Sequence, residues 1–156
     1  MKRLLTVAGV GLVGIGVVVS GLMTVAVGAI ATSTTQEAAS SVLDGVFTAA
    51  QARRGRRVYN QNCSSCHGPG PEMSGGEMAP SIAGNGFIVY WTELPVGSLF
   101  ERIRVSMPED GPGRLSDQEY ADVVAYMLDS SSYPAGEVEL PTDKAALDEI
   151  MIVEAE

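Results

Sequence analysis

The sequence predicts an all-α fold in which three or four short helices are joined by long loops. Several segments place apolar side chains three and four positions apart, which is the pattern of an amphipathic helix. The stretch from Gly68 to Gly86 holds six glycines and three prolines, so it is expected to be a loop. Strand signals are nearly absent, and Phe87 to Trp91 is the one candidate strand.

The first helix of this fold is expected from about Ala49 to Asn60, with Gly55 and Tyr59 one turn apart. A second, short helix is expected to open at Ser98 and Glu101, which have the S-x-x-E spacing of a capping box. Pro108 cannot continue a helix, so it closes this segment.

The clearest helix signal covers Asp117 to Asp129. Ser116 and Glu119 form a second capping box at its start. One face of this helix carries apolar residues, namely Tyr120, Val123, Val124, Met127 and Leu128.

The N-terminal residues 1–31 have the pattern of a membrane anchor or a signal peptide. Lys2 and Arg3 precede an uncharged, mainly apolar run from Leu4 to Gln36, which reaches the length of about 20 residues that a spanning helix needs. The positive start places the N-terminus in the cytoplasm and the following residues outside. We favour an uncleaved anchor, and a cleaved signal peptide is the alternative because Ala29 to Ala31 fits the A-x-A cleavage pattern.

Composition divides the remaining chain into three parts. Residues 32–46 are rich in Ser, Thr and Ala and are expected to form a flexible tether, residues 47–133 a compact domain, and residues 134–156 an acidic extension. The net charge of −9 makes nucleic acid an unsuitable partner. A domain this small with such long loops buries little apolar surface, so we expect an apolar group to fill its middle.

Cys63-Ser64-Ser65-Cys66-His67 has the C-x-x-C-H pattern of haem attachment. Two thiols one helical turn apart can each form a thioether with a vinyl group of the same porphyrin. His67, the single histidine of the chain, then stands beside the iron as an axial ligand. The motif therefore predicts one covalently bound haem c, with Cys63 and Cys66 as attachment sites.

Two other interpretations of the cysteine pair fit less well. A thioredoxin-like C-x-x-C requires alternating strands and helices, which the pattern does not indicate. A structural zinc site requires four ligands, and the chain offers two cysteines, one histidine and no second cluster.

With the single histidine assigned to one axial position, the second ligand is a methionine, another weak ligand, or nothing. Met107 is favoured because it lies forty residues after His67, which leaves enough chain to wrap a haem. It also precedes Pro108, which biases its backbone toward the extended region. Met73 and Met78 follow His67 closely and remain alternatives, whereas Met127 is expected to fill the core of the last helix.

From about Gln51 to Ser130 the sequence resembles the class I c-type cytochromes. Gly55, Tyr59 and Cys63 match the family's G-x-x-x-aromatic-x-x-x-C spacing. The stretch from Val123 to Tyr126 is similar to the family's last helix, which crosses the first helix at the glycine. Two further matches imply roles in the site. The position of Pro80 matches the proline whose carbonyl accepts a hydrogen bond from the ligand histidine. The segment Met107-Pro108 resembles the loop that carries the second axial ligand.

The resemblance implies a one-electron carrier rather than an enzyme, with axial ligation by His67 and Met107. The run from Arg102 to Asp143 resembles cytochromes that accept electrons from periplasmic quinoprotein dehydrogenases. Expected partners are therefore a quinoprotein dehydrogenase as donor and an oxidase or another cytochrome as acceptor, on the periplasmic side of a bacterial inner membrane. The alternatives are an enzyme or gas sensor with an open iron, and a non-catalytic subunit fixed in a larger complex.

Overall fold

The computed structural model describes residues 41–70, 72–75 and 79–154. The predicted anchor 1–31, the first part of the predicted tether and Met78 lie outside these residues. The described residues contain no strand, only two isolated bridges, so the all-α prediction is confirmed. Their helices are a 3-10 turn at Val42–Asp44, then α1 Ala49–Asn62, α2 Ser64–His67, α3 Asn85–Trp91, α4 Val96–Ser106, α5 Asp117–Ser130 and α6 Lys144–Asp148. None of the described helices is long and apolar enough to cross a membrane.

The crossing of α1 and α5 forms the centre of the structure. At Gly55 the helices are so close that a Cβ atom would overlap the carbonyl oxygen of Asp122 and lie 3.0 Å from Cβ of Tyr126. One turn further along α1, the rings of Tyr59 and Tyr126 pack edge to face with centroids 5.5 Å apart. The crossing that the resemblance implies between Gly55 and Tyr126 is therefore present.

Helix α5 is the most buried element among the described residues. Its predicted capping box is confirmed, because the Ser116 hydroxyl accepts from the Glu119 N–H at 3.3 Å and the Glu119 carboxylate accepts from the Ser116 N–H at 2.9 Å. The Ser116 N–H and the Ser116 hydroxyl both donate to the Glu119 carboxylate, and these two bonds lower the pKa of Glu119. Every residue from Tyr120 to Leu128 is buried, so α5 contacts protein on all sides rather than on the one predicted face.

Two local predictions are wrong. The candidate strand Phe87 to Trp91 lies in α3, where a helical backbone turns Phe87 inward to pack edge to face on Tyr133 at 6.1 Å. Ser98 does not cap a helix, because α4 begins two residues earlier at Val96. Glu101, the other half of that predicted box, instead accepts a hydrogen bond from Arg104 Nε at 2.9 Å within the helix.

The packed structure extends beyond both predicted boundaries of the compact domain. On the N-terminal side Val42 and Val46, which fall within the predicted tether, are buried. On the C-terminal side Leu140, Leu147 and Ile152 are buried, although they belong to the predicted acidic extension. Burial of these apolar side chains explains why both flanks fold against the central helices.

Arg54 connects the C-terminal flank to the helix crossing by two ion pairs. Its guanidinium forms two parallel hydrogen bonds of 2.9 Å with the buried carboxylate of Asp122 on α5. The same guanidinium donates to both carboxylate oxygens of Glu139, at 2.9 and 2.7 Å. Such charge-assisted bonds favour the ionised acid, and they hold the pKa of Glu139 below its usual range.

Gly55→Val should destabilise the protein strongly, because the branched side chain would be forced into the backbone of α5. Overpacking of this kind costs about 3 kcal/mol or more, which lowers the melting temperature by on the order of 10 °C. Ala50→Val is the matched control, since Ala50 is exposed on the same helix and reports only the few tenths of a kcal/mol of lost helix propensity. Equal melting temperatures for the two variants would show that the stability of the protein does not depend on the close approach of α1 and α5 at Gly55.

Candidate functional site

The junction of α1 and α2 positions the C-x-x-C-H residues. Cys63 follows α1, its N–H still donating to the Tyr59 carbonyl at 2.8 Å. The single turn α2 then brings the N–H groups of Cys66 and His67 to 3.2 and 3.0 Å from the Cys63 carbonyl oxygen. Cys63 is half-buried and Cys66 is exposed. Cys63 directly precedes α2 with φ −125°, and Cys66 lies within α2, so the two are one turn apart, as attachment to one porphyrin requires.

His67 is buried, with 8% of its surface exposed, and its ring is held by one hydrogen bond. Nδ1 lies 3.0 Å from the carbonyl oxygen of Pro80. A carbonyl only accepts, so Nδ1 carries the proton and Nε2 is left as the nitrogen that can bind a metal. The hydrogen bond that the resemblance implies for Pro80 is therefore present, and a bond of this kind fixes the orientation of a ligand ring.

Met107 lies on another wall of the same site. It follows the last residue of α4 with an extended backbone, φ −127° and ψ 153°, as expected for a residue before proline. Its N–H donates to the Ile103 carbonyl at 2.8 Å, and its own carbonyl accepts from the Tyr120 hydroxyl at 2.7 Å. The backbone of Met107 is thus held by both α4 and α5.

A cavity of about 960 Å³ brings these residues together. Its wall includes all five residues that the sequence predicts for the site, namely Cys63, Cys66, His67, Pro80 and Met107. Apolar side chains in the rest of the wall come from α3, α4, α5 and the residues just before α5, including Trp91, Leu99, Ile103, Leu115, Val123 and Met127. The volume lies within the range of about 300–1,000 Å³ found for cofactor sites, so the cavity and its donor set fit a haem.

The other methionines are placed differently from Met107. Met73 is fully buried and is not among the described residues that line the cavity. Met127 does line it, but it is also packed inside α5 with 1% of its surface exposed. Met107 alone combines a place in the cavity wall with a position outside a helix, among the described methionines.

Two arginines of the cavity wall were not predicted from the sequence. Arg102 lies on the face of α4 that also carries Leu99 and Ser106, and its guanidinium has no hydrogen-bond or ion-pair partner among the described residues. Arg114 follows the Met107 loop and binds Asp110 at 3.0 Å and Asn62 at 3.2 Å. Residues 99, 102, 103 and 106 are three or four positions apart and therefore share one face of α4. This spacing could have predicted from the sequence that Arg102 faces the site.

The surroundings of Cys63 affect its ionisation. Burial raises the pKa of the Cys63 thiol to about 11, which disfavours its thiolate form. Within the described part of the chain, no group of three or more His, Cys, Asp or Glu side chains is arranged to hold a metal ion.

Comparison with known proteins identifies one family. The model of the family described as cytochrome C oxidase, cbb3-type, subunit III, matches residues 50–127, which is half of the 156-residue chain. This region runs from the start of α1 almost to the end of α5 and contains all five predicted site residues. No curated protein and no solved structure was found to match.

Met107→Ala should abolish the weak charge-transfer band near the red edge of the ferric spectrum, because this band reports sulfur bound to iron. The covalent haem should remain, since Cys63 and Cys66 are unchanged. Met127→Leu is the matched control: it removes the sulfur of the other described methionine in the cavity wall with little change in volume. Loss of the band in the Met127 variant and its retention in the Met107 variant would reverse the ligand assignment.

Proposed function

The chain belongs to the cytochrome c oxidase, cbb3-type, subunit III family, and we propose that it carries one electron at a time through a single haem, with His67 and Met107 as axial ligands. A cytochrome c domain of this kind transfers electrons by way of haem. One observation carries the finer proposal: a single cavity is lined by both thiols of the C-x-x-C-H motif, by His67 and by Met107.

Each residue has a separate task in this proposal. A bound haem supplies reversible one-electron chemistry at its iron. Cys63 and Cys66 hold the porphyrin by thioether bonds, which prevents its loss. His67 offers Nε2 to the iron, and its bond to the Pro80 carbonyl keeps the ring in one orientation and makes it more basic. Met107 would offer its sulfur to the same iron, which would raise the reduction potential and leave no site for a substrate.

The two wall arginines are proposed to face the carboxylates of the porphyrin. Guanidinium groups form strong hydrogen bonds with carboxylates, particularly where water is excluded. Arg102 is available for such a bond because its guanidinium has no partner among the described residues. Arg114 is held in place by Asp110 and Asn62, so it can offer its remaining N–H groups without losing its position.

A second candidate function is that of an electron-carrying subunit fixed in an oxidase complex. The description of the family, which names a subunit of an oxidase, favours this candidate. The native mass of the protein extracted from its own membranes separates the two. A free carrier migrates at the mass of one chain, whereas a subunit co-purifies with the oxidase.

The donor and the cellular location are proposals from the sequence. The resemblance of the run from Arg102 to Asp143 supports a periplasmic quinoprotein dehydrogenase as donor, with an oxidase or another cytochrome as acceptor. The positive start and the long apolar run of residues 1–31 support a location on the periplasmic side of the inner membrane.

Haem should stay on the polypeptide after extraction with acidified acetone, because two thioether bonds hold it. In the double variant Cys63→Ser and Cys66→Ser the pigment should wash out. The matched control is Ser64→Ala with Ser65→Ala, which changes the two residues between the cysteines and keeps both thiols. Release of the pigment from the unchanged protein would contradict covalent attachment.

Residues 1–31 should keep the protein on the membrane after cell fractionation, with the haem domain facing outward. Intact-mass measurement of the membrane-bound protein should give a chain that still contains Leu4 to Ala31. A soluble product that begins at Thr32 would show that the A-x-A signal is cleaved and that no anchor is retained.

A further inference from the structure

The C-terminal residues 149–153, here called the C-terminal clamp, lie between two other segments of the chain. On one side the Val42 N–H donates to the Met151 carbonyl at 2.9 Å, and Ser41 and Met151 form a parallel bridge. On the other side Met151 and Pro95 form an antiparallel bridge. The clamp, Ser41 and Val42 lie outside the region that the family model matches.

The clamp binds the start of α4 through the backbone. This helix has no side-chain cap, and its first N–H groups therefore need other acceptors. The Val96 N–H donates to the Ile150 carbonyl at 2.8 Å. Just before the helix, the Glu93 N–H donates to the Ile152 carbonyl at 2.8 Å, and the Ile152 N–H donates to the Leu94 carbonyl at 2.9 Å. The clamp thus supplies a cap that the local sequence does not.

Side-chain packing fixes the same contact. Ile152 is fully buried, and Leu147 of α6 is nearly so. A Cβ atom at Gly97 in the first turn of α4 would overlap the carboxylate of Asp148, so α4 and the C-terminal region have no space between them. Lys144 holds that carboxylate with hydrogen bonds of 2.8 and 2.6 Å.

The far end of α4 carries Met107. The helix has eleven residues, so its two ends lie about 16 Å apart on a stiff element. Its cavity-facing side ends at Met107, whose N–H is bonded to Ile103 in the last turn. A helix that is held at its start cannot tilt freely, and the Met107 backbone follows its last turn directly.

We propose that the C-terminal clamp positions Met107 through α4 and thereby sets how readily the Met107 sulfur leaves its place in the cavity. This proposal rests on the proposed function, in which Met107 is an axial ligand. Ile150 and Ile152 are then positioning residues, since they act on the site through α4 and line no part of the cavity among the described residues.

Ile152→Ala in the full-length holoprotein tests the clamp, because it removes buried side-chain volume beside the start of α4. Leu140→Ala is the matched control. Leu140 is buried in the same C-terminal region, but its backbone is bonded to the Gln51 side chain of α1, at 2.8 and 3.1 Å. Tyr133→Phe is a milder clamp variant, which deletes the 2.8 Å hydrogen bond to the Val153 carbonyl and leaves no cavity.

Imidazole added to the ferric protein competes for the position of the Met107 sulfur and serves as the probe. Its apparent affinity should rise about tenfold in Ile152→Ala, because loosening α4 increases the population in which the sulfur is displaced. The rise should be smaller in Tyr133→Phe and within about twofold of wild type in Leu140→Ala. Amides of residues 96–107 should exchange hydrogen faster in the two clamp variants than in the control.

Equal imidazole affinities in Ile152→Ala and Leu140→Ala would overturn the proposal, as would unchanged α4 exchange in both clamp variants. If Ile152→Ala fails to fold, Tyr133→Phe against wild type decides the same question by both measurements. A wild-type protein that binds imidazole as tightly as Met107→Ala would overturn the ligand assignment instead. Hydrogen exchange in α4 then decides whether the clamp restrains the helix, because that readout does not depend on which residue binds iron.

Discussion

At Gly55 the backbones of α1 and α5 approach each other as closely as the absence of a side chain permits. This contact fixes how α1 lies against α5, and the cysteines and His67 follow directly from the end of α1. It also turns Val123 and Met127 of α5 toward the cavity, while Tyr126 packs on Tyr59. The two walls of the site are therefore fixed by a contact between backbones, which gives the cavity a defined shape before any cofactor chemistry is considered.

The residue pattern alone predicted those parts of the structure in which the interacting residues are close together in the chain. The capping box at Ser116 and the spacing of Cys63, Cys66 and His67 are local, because one turn of backbone brings the partners together. The crossing at Gly55 and the bond from His67 to Pro80 are not local, and they followed from the family resemblance rather than from the pattern of residues.

The wrong predictions have tertiary causes. Ser98 and Glu101 have the right spacing for a capping box, but α4 begins earlier because the C-terminal residues accept its first N–H group. Phe87 to Trp91 is too short an apolar run to separate strand from helix by period alone. The packing of the C-terminal region was also hidden, because Leu140 and Leu147 are single apolar residues close to acidic ones, and Ile152 lies in an apolar run of only four residues, too short to show a helical repeat.

The central proposal is that both axial positions of the haem are taken by residues of the chain, as expected for a carrier rather than for an enzyme or gas sensor. Addition of carbon monoxide to the reduced holoprotein tests this claim most directly, because carbon monoxide binds ferrous haem wherever a position is open. With His67 and Met107 both bound, the optical spectrum should stay unchanged at neutral pH. Rapid formation of a carbon monoxide complex in the unmodified protein would contradict the account and indicate an open iron.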